Sequence, residues 1–206
     1  MKGRETLREY YDRAAPHYLD RASKGMMGWL RRRELAITHG MLPEGNGRKA
    51  LDAGCGPGYY SQVMRERGFD VTAVDLSPEM VRTVNGLGIP AYQMDIEHSA
   101  PPTELPAPFD FVFCAGVLEF ANDVRKFLRS LRRLTADGGE LVLIAPLRGT
   151  FGFFYRTYLE SRGIPARCYG SACLHEDLQA VGFEPVETRA ARPICLAVRA
   201  RAAEQR

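Results

Sequence analysis

Three aspartates and one glycine-rich turn carry the chemistry legible in this sequence. Leu51-Asp52-Ala53-Gly54-Cys55-Gly56-Pro57-Gly58 sets glycines at alternate positions. A turn without Cβ atoms on one side lets its backbone approach a ligand closely, and the N–H groups opening the following helix offer donors to an anionic group such as a carboxylate. The spacing is GxGxG, not the GxGxxG of dinucleotide loops, and no Lys-Ser/Thr follows as in a P-loop. Asp75 comes 21 residues after Gly54, at the end of the next apolar run. An acid at that offset is placed to accept hydrogen bonds from a ribose diol. Asp95 ends a third run and is available to an exocyclic amine such as that of adenine. Cys114-Ala115-Gly116 ends a fourth with residues small enough for a ligand to lie against. Each feature alone is an ordinary turn; in series they point to a nucleoside-bearing ligand.

Such residues act together only if strand ends converge. The sequence predicts helices over 4–15 and 27–41, then a break at Pro43-Glu44-Gly45-Asn46-Gly47. Strands are predicted at Lys49–Ala53, Asp70–Asp75, Ile89–Asp95, Phe109–Cys114 and Leu141–Ala145, the last following Gly138-Gly139. Helices alternate with them: one runs through Arg67, one opens at Ser77-Pro78 with an N-cap and a first-turn proline, and one covers Asp123–Thr135. An irregular aromatic stretch at 147–171 precedes a helix at 174–181 and strands near 183–189 and 193–199. Near-continuous apolar strands alternating with helices make an α/β fold with a mainly parallel sheet covered on both faces. The expectation is a Rossmann-like, doubly wound, seven-stranded sheet. An N-terminal helical cap or lid occupies 1–45 and one domain occupies 46–206, with 151–172 as a variable segment on the substrate side. Ligands of such sheets bind beyond the carboxyl ends of the strands.

Composition bounds the alternatives. With 206 residues, 45% hydrophobic and 26% charged, the chain fits one ordinary globular domain and excludes disordered, collagenous and membrane-spanning classes. Residues 1–49 carry 11 basic and 6 acidic side chains, residues 50–188 carry 12 and 18, and residues 189–206 carry 5 and 1. A net charge of +3 does not by itself argue for nucleic acid. The five cysteines form no CxxC and no zinc spacing, so no metal is expected. Cys168 and Cys173 are near enough in sequence to pair, but reduced thiols in a cytoplasmic protein are the expectation. The N-terminus has no apolar h-region of a secretory signal, and no stretch approaches 18 apolar residues.

The motifs together resemble a known family. Leu51–Gly58 is similar to motif I of the class I S-adenosylmethionine-dependent methyltransferases, and Val74-Asp75-Leu76-Ser77-Pro78-Glu79-Met80 to their second-strand motif. Met94-Asp95-Ile96, Phe109–Cys114 with Val117-Leu118-Glu119, and Leu134–Leu141 match later motifs in order, over residues 48–145. The resemblance is to the small-molecule, methyltransferase type 11/12-like branch. It implies S-adenosyl-L-methionine as cofactor, with S-adenosyl-L-homocysteine as its product, and it implies roles. Gly54 and Gly56 would lie against the methionine part, and Asp52 would orient its ammonium. Asp75 would hold the ribose, Leu76 and Met80 would flank the adenine, and Asp95 and Ile96 would meet its edge. Cys114 or Ala115 would lie near the sulfonium. Many relatives carry histidine where this chain has Phe120, so a role tied to that histidine is not expected here. Tyr10–Tyr18 is similar to the branch's leader segment. Tyr11 and Tyr18 either touch the cofactor or pack a helix onto the domain. Arg31-Arg32-Arg33 is either a carboxylate partner or a solvated helix face.

In-line methyl transfer needs alignment first, and a general base only where the nucleophile must lose a proton. His17, His98, His175 and the tyrosines, Tyr11 foremost, are the candidates for that base. The aromatic segment Thr150–Leu159 is either an apolar wall, which would select a small apolar or aromatic acceptor, or core packing or a dimer contact. O-methylation of a small molecule is the leading expectation, with monomer and homodimer both open. The alternatives are a non-catalytic, cofactor-binding partner subunit of a methyltransferase complex, an RNA methyltransferase and an NAD-dependent oxidoreductase. No Asp/Asn-Pro-Pro-aromatic motif or appended RNA-binding module is present, and no nucleic acid is expected.

Overall fold

A computed structural model of the chain describes residues 2–15 and 25–204. Two helices lead, α1 (Lys2–Ala14) and α2 (Gly25–Met41). The alternation that follows is β1 (Lys49–Ala53), α3 (Tyr59–Glu66), β2 (Asp70–Asp75), α4 (Pro78–Gly86), β3 (Ala91–Gln93), β4 (Phe109–Ala115), a single 3-10 turn (Leu118–Phe120), α5 (Val124–Leu134) and β5 (Thr135–Pro146). Helices α6 (Thr150–Glu160) and α7 (Ser171–Gln179) and strands β6 (Phe183–Ala191) and β7 (Cys195–Ala202) complete it.

The seven strands form one sheet in the order β3-β2-β1-β4-β5-β7-β6. The first five are mutually parallel, and β7 runs antiparallel between β5 and β6. The apolar runs read as buried strands because they are covered on both faces. Along β1 and β4, Ala50, Phe111 and Phe113 pack on one face with Tyr60 and Met64 of α3 and Val84 of α4. Leu51, Val112 and Cys114 pack on the other with Phe127, Leu128 and Leu131 of α5 and Leu174 and Leu178 of α7. Helix α5 presents Val124, Phe127, Leu128, Leu131 and Leu134 at helical spacing. It opens where Asp123 Oδ1 accepts from the Lys126 N–H at 3.0 Å. Ser77 caps α4 in the same way, accepting from the Met80 N–H at 3.2 Å, with Pro78 in the first turn. Strand order reverses between β1 and β4, and their carboxyl ends border the crevice where such sheets take ligands.

Three expectations need correction. The third strand is only Ala91–Gln93; it is the sheet edge, Pro90 supplies no N–H, and Asp95 already belongs to the turn beyond. Gly138-Gly139 lies within β5 rather than before it. The β4–β5 register shifts between Phe109 and Phe111, and Gly138 takes a left-handed φ of 72° to accommodate the extra residues. The 147–171 segment is not irregular, because α6 forms inside it. Phe151, Tyr155 and Leu159 recur at helical spacing, and Leu159 is buried while Phe153, Phe154 and Tyr158 face outward. All five cysteines are free. No helix among the described residues is long and apolar enough to cross a membrane.

Candidate active site

The turn after β1 is tied to β2 by its own backbone. The Gly54 and Cys55 N–H groups both donate to the Val74 carbonyl, at 2.8 and 3.1 Å. Gly54 has φ +83°, and a Cβ there would sit 2.1 Å from Val117 Cγ2, so the residue after β4 closes directly over it. Gly56, φ +51°, differs: nothing lies within 4 Å of where its Cβ would be. Gly58, φ +86°, is tight again, its Cβ position 3.0 Å from Leu87 Cδ1 and Val84 Cγ2, so of the turn's three glycines only Gly56 has an open side.

Asp75 ends β2 beside that open glycine. Its Oδ2 accepts from the Gly56 N–H at 2.8 Å and its Oδ1 from the Ser77 N–H at 2.9 Å. Burial raises its pKa above the usual carboxylate value, those backbone donors oppose the rise, and the charge of Asp12 adds to it. Asp52, 2% exposed on β1, accepts from the Ser61 hydroxyl of α3 at 2.5 Å, and the Ser61 backbone N–H also holds it. Burial pushes its carboxyl up to about 7; Ser61 holds it down and Asp75 adds to the rise. Neither aspartate has an ion-pair partner among the described residues. Two adjoining carboxyl groups without an ion pair, Asp52 buried and Asp75 partly so, make a site that favours a cation.

The remaining predicted cofactor residues gather around these. Met80 and Ile96 are 1% and 4% exposed, Cys114 is fully buried and Ala115 is partly covered at the end of β4. Leu76 packs with Tyr11 and Phe120 in an apolar layer that includes Leu7, Leu159, Ile164 and Tyr155. Tyr11 meets Phe120 edge-on, ring centroids 5.9 Å apart, so Phe120 serves as a packing surface for α1. Asp95 is more occupied than its sequence position suggests. Its Oδ1 accepts from the Glu97 and His98 N–H groups, and its Oδ2 faces His98 Nδ1 at 3.3 Å and Arg4 Nε at 3.4 Å.

Some candidates are not brought to this place. His175 hydrogen-bonds Thr188 of β6 at 2.8 Å, on the sheet edge four strands from β1. His17 and Tyr18 lie outside the described residues. Arg32 is exposed and Arg33 stacks over Trp29, 5.0 Å to the ring centroid, which is the arrangement of a solvated helix face.

Sequence reasoning passed over three residues. Arg4 ion-pairs with Glu97 as well as Asp95, and Asp12 accepts from the Ser77 hydroxyl, so α1 is fastened to the turns after β2 and β3. Glu119 is 3% exposed; its Oε1 accepts from the Tyr155 hydroxyl at 3.3 Å, and its Oε2 is buried without a hydrogen-bond partner. Burial, the main cause, pushes its carboxyl up to about 7. The signals for Glu119 are its place in the matched Val117-Leu118-Glu119 stretch, to which no role is assigned, and its being a lone acid within the apolar run Ala115–Ala121.

Comparison with known proteins agrees with this geometry. A methyltransferase domain family profile matches residues 7–188. The ubiquinone biosynthesis O-methyltransferase of Pseudomonas aeruginosa is 35% identical over 103 residues, 47% of this chain and 44% of that protein. The malonyl-[acyl-carrier protein] O-methyltransferase of Serratia marcescens is 36% identical over 105 residues, 50% of this chain and 40% of that protein. The match thus spans less than half the length of these curated relatives. Magnesium protoporphyrin IX methyltransferase of Synechocystis, solved with S-adenosylhomocysteine, shares the fold at a TM-score of 0.70 and 17% identity, covering 96% of this chain and 98% of that one. With the profile spanning most of its length and the motifs of the turn, β2 and β4 in register, the chain belongs to the methyltransferase domain family, the class I S-adenosylmethionine-dependent methyltransferases.

Proposed function

We propose that this chain transfers a methyl group from S-adenosyl-L-methionine to an oxygen of a small apolar or aromatic molecule. The observation that carries the reading is the pair of carboxyl groups, buried Asp52 and partly buried Asp75, beside the open face of Gly56. S-adenosylmethionine brings a sulfonium, an ammonium and a ribose diol, which suits acids that have no cation of their own. When bound, it supplies an electrophilic methyl carbon with a neutral thioether as leaving group.

In this reading each oxygen of Asp75, holding one backbone donor, keeps a lone pair for a ribose hydroxyl. Asp52, steadied by Ser61, orients the ammonium. The Gly54 and Gly56 backbone lies along the methionine part, Leu76 and Met80 flank the adenine, and Asp95 and Ile96 meet its edge. Cys114 and Ala115 border the sulfonium, and α1, fastened to the turns after β2 and β3, lies over that end of the sheet. The apolar layer between α1 and α6, with Tyr11, Phe120 and Tyr155, supports an apolar acceptor held in line with the methyl. That the two relatives above are O-methyltransferases supports oxygen as the nucleophile.

Calorimetry with S-adenosylhomocysteine is the first test, followed by an acceptor panel scored for methylated product. Absence of heat with either cofactor form, while NADH binds, would sink the proposal. The two glycines separate fold from site. Gly56→Ala is expected to cost about 1 kcal/mol of stability yet to weaken S-adenosylhomocysteine binding more than tenfold, because its methyl enters the open side. Gly54→Ala is expected to destabilise by about 2–3 kcal/mol through clash and backbone strain, and adding Val117→Ala should recover only the clash. Thermal melts alongside calorimetry distinguish the two, and equal loss of affinity without loss of stability at both positions would contradict this division.

A further inference from the structure

The cofactor reading leaves two buried acids near these strand ends without use: Glu97, which is held by Arg4 and the Asn122 and Asp123 N–H groups, and Glu119. Glu119 stands on the 3-10 turn that follows β4, with Oε1 only 3.9 Å from where a Gly116 Cβ would lie. Its neighbours are Tyr155 of α6, Cys114 of β4, Cys168 and Tyr169 of the segment between α6 and α7, and Glu34 of α2. Arg167 is also adjacent, its N–H donating to the Glu119 carbonyl at 2.9 Å, but its guanidinium turns to the Asn122 carbonyl at 3.1 Å, and no salt bridge reaches the Glu119 carboxyl among the described residues. Tyr155 donates to Oε1, and Oε2 has no partner. A buried carboxyl oxygen left open costs free energy comparable to a lost hydrogen bond. A ligand that brings a donor to it recovers that cost.

Resting on the methyltransferase reading, we infer that Glu119 is the acceptor-side anchor: its free Oε2 receives the hydroxyl of the nucleophile, so the acceptor is a neutral alcohol or phenol and not a carboxylic acid. The acceptor oxygen gains the methyl group as the cofactor's S–CH3 bond breaks, and the hydroxyl proton moves to Oε2 and later to solvent. Atoms and charge balance without a further reactant. Tyr155 is the positioning residue, holding Oε1 so that Oε2 faces inward. A carboxylate acceptor would add a negative charge to a region that already holds Glu119, Glu34 and Asp52, and low dielectric makes such crowding costly. A carboxyl titrating near neutrality is also suited to accept this proton at working pH.

The test uses the full chain with S-adenosylhomocysteine bound and carboxyl-13C glutamate incorporated, so that the Glu119 resonance is identified by its loss in Glu119→Gln. Phenol and benzoate are the probes. Phenol is expected to move the Glu119 signal, to shift its titration midpoint, and to bind Glu119→Gln about tenfold or more weakly, while benzoate binds more weakly than phenol. Tyr155→Phe, which leaves the acid in place, is expected to raise the Glu119 midpoint without changing S-adenosylhomocysteine affinity; if Glu119→Gln does not fold, loss of the labelled glutamate signal in Glu119→Asp identifies the resonance instead. The inference is overturned if phenol leaves the signal unmoved, binds the Gln variant as tightly as the parent, or is outcompeted by benzoate. It is also overturned if Tyr155→Phe leaves the midpoint in place. Failure of the parent protein to take up S-adenosylhomocysteine would instead overturn the methyltransferase reading.

Discussion

Asp75→Ala is expected to weaken binding of S-adenosylhomocysteine by about a hundredfold or more, read by calorimetry. Two charge-assisted hydrogen bonds to a ribose diol contribute on the order of 1.5–3 kcal/mol each, and alanine removes both. The same change frees the Gly56 and Ser77 N–H groups, which now donate to the carboxylate, so the turn itself loosens. Asp75→Asn separates these effects. It keeps an acceptor oxygen and the side-chain shape, so more of the turn's order survives while the charge is lost. Affinity in Asp75→Ala within threefold of the parent would place the ribose elsewhere.

Asp52→Asn is expected to stabilise the protein while impairing it. Burial, above all, raises the Asp52 carboxyl to about 7 from 3.8. In the unfolded chain that group ionises near pH 4, whereas the folded protein retains the proton to about pH 7. Stability contributed by this residue is therefore greatest in acid, falls as pH rises through that window, and levels off above about 7. At 1.36 kcal/mol per unit, the penalty on the basic side is on the order of 4 kcal/mol. Asparagine removes the penalty, so its thermal midpoint should match the parent near pH 4 and exceed it by on the order of 10 °C above pH 8. Cofactor affinity runs the other way. In the parent it should improve as pH rises through 7, because the ionised acid meets the cofactor's cation, and in Asp52→Asn it should be weak and flat. Parallel melting curves for both proteins across pH 4–8 would show that Asp52 ionises as freely in the fold as outside it.

The residues that were legible in the sequence are those whose role depends on local backbone. The glycine turn, the acid at the end of β2 and the Ser77-Pro78 cap are all set within a few residues of one another, and strand ends are where short apolar runs stop. The same logic explains the failures. Gly138-Gly139 reads as a turn, yet the register shift against β4 draws it into β5, a pairing no local signal encodes. The aromatic stretch reads as loop because Gly149 and Gly152 interrupt it, whereas the burial of Leu159 against Leu7 and Ile164 selects helix. His175 is attractive as a residue type, but its distance from β1 is fixed by β7 entering between β5 and β6. Glu119 was passed over because an acid in an apolar run gains meaning only when its surroundings prove, among the described residues, to form no salt bridge with it. Arg4 escaped notice because its partners lie 91 and 93 residues away.

That last separation bears on how the chain comes together in time. Helix α1 leaves the ribosome well before the acids that seat it, Asp95 and Glu97, which are made only after three strands have followed. Contacts so distant in sequence carry a high loop-closure cost and form late. Helix α1 is thus made long before it can dock, and the strand ends stay uncovered by α1 until the sheet beneath them exists.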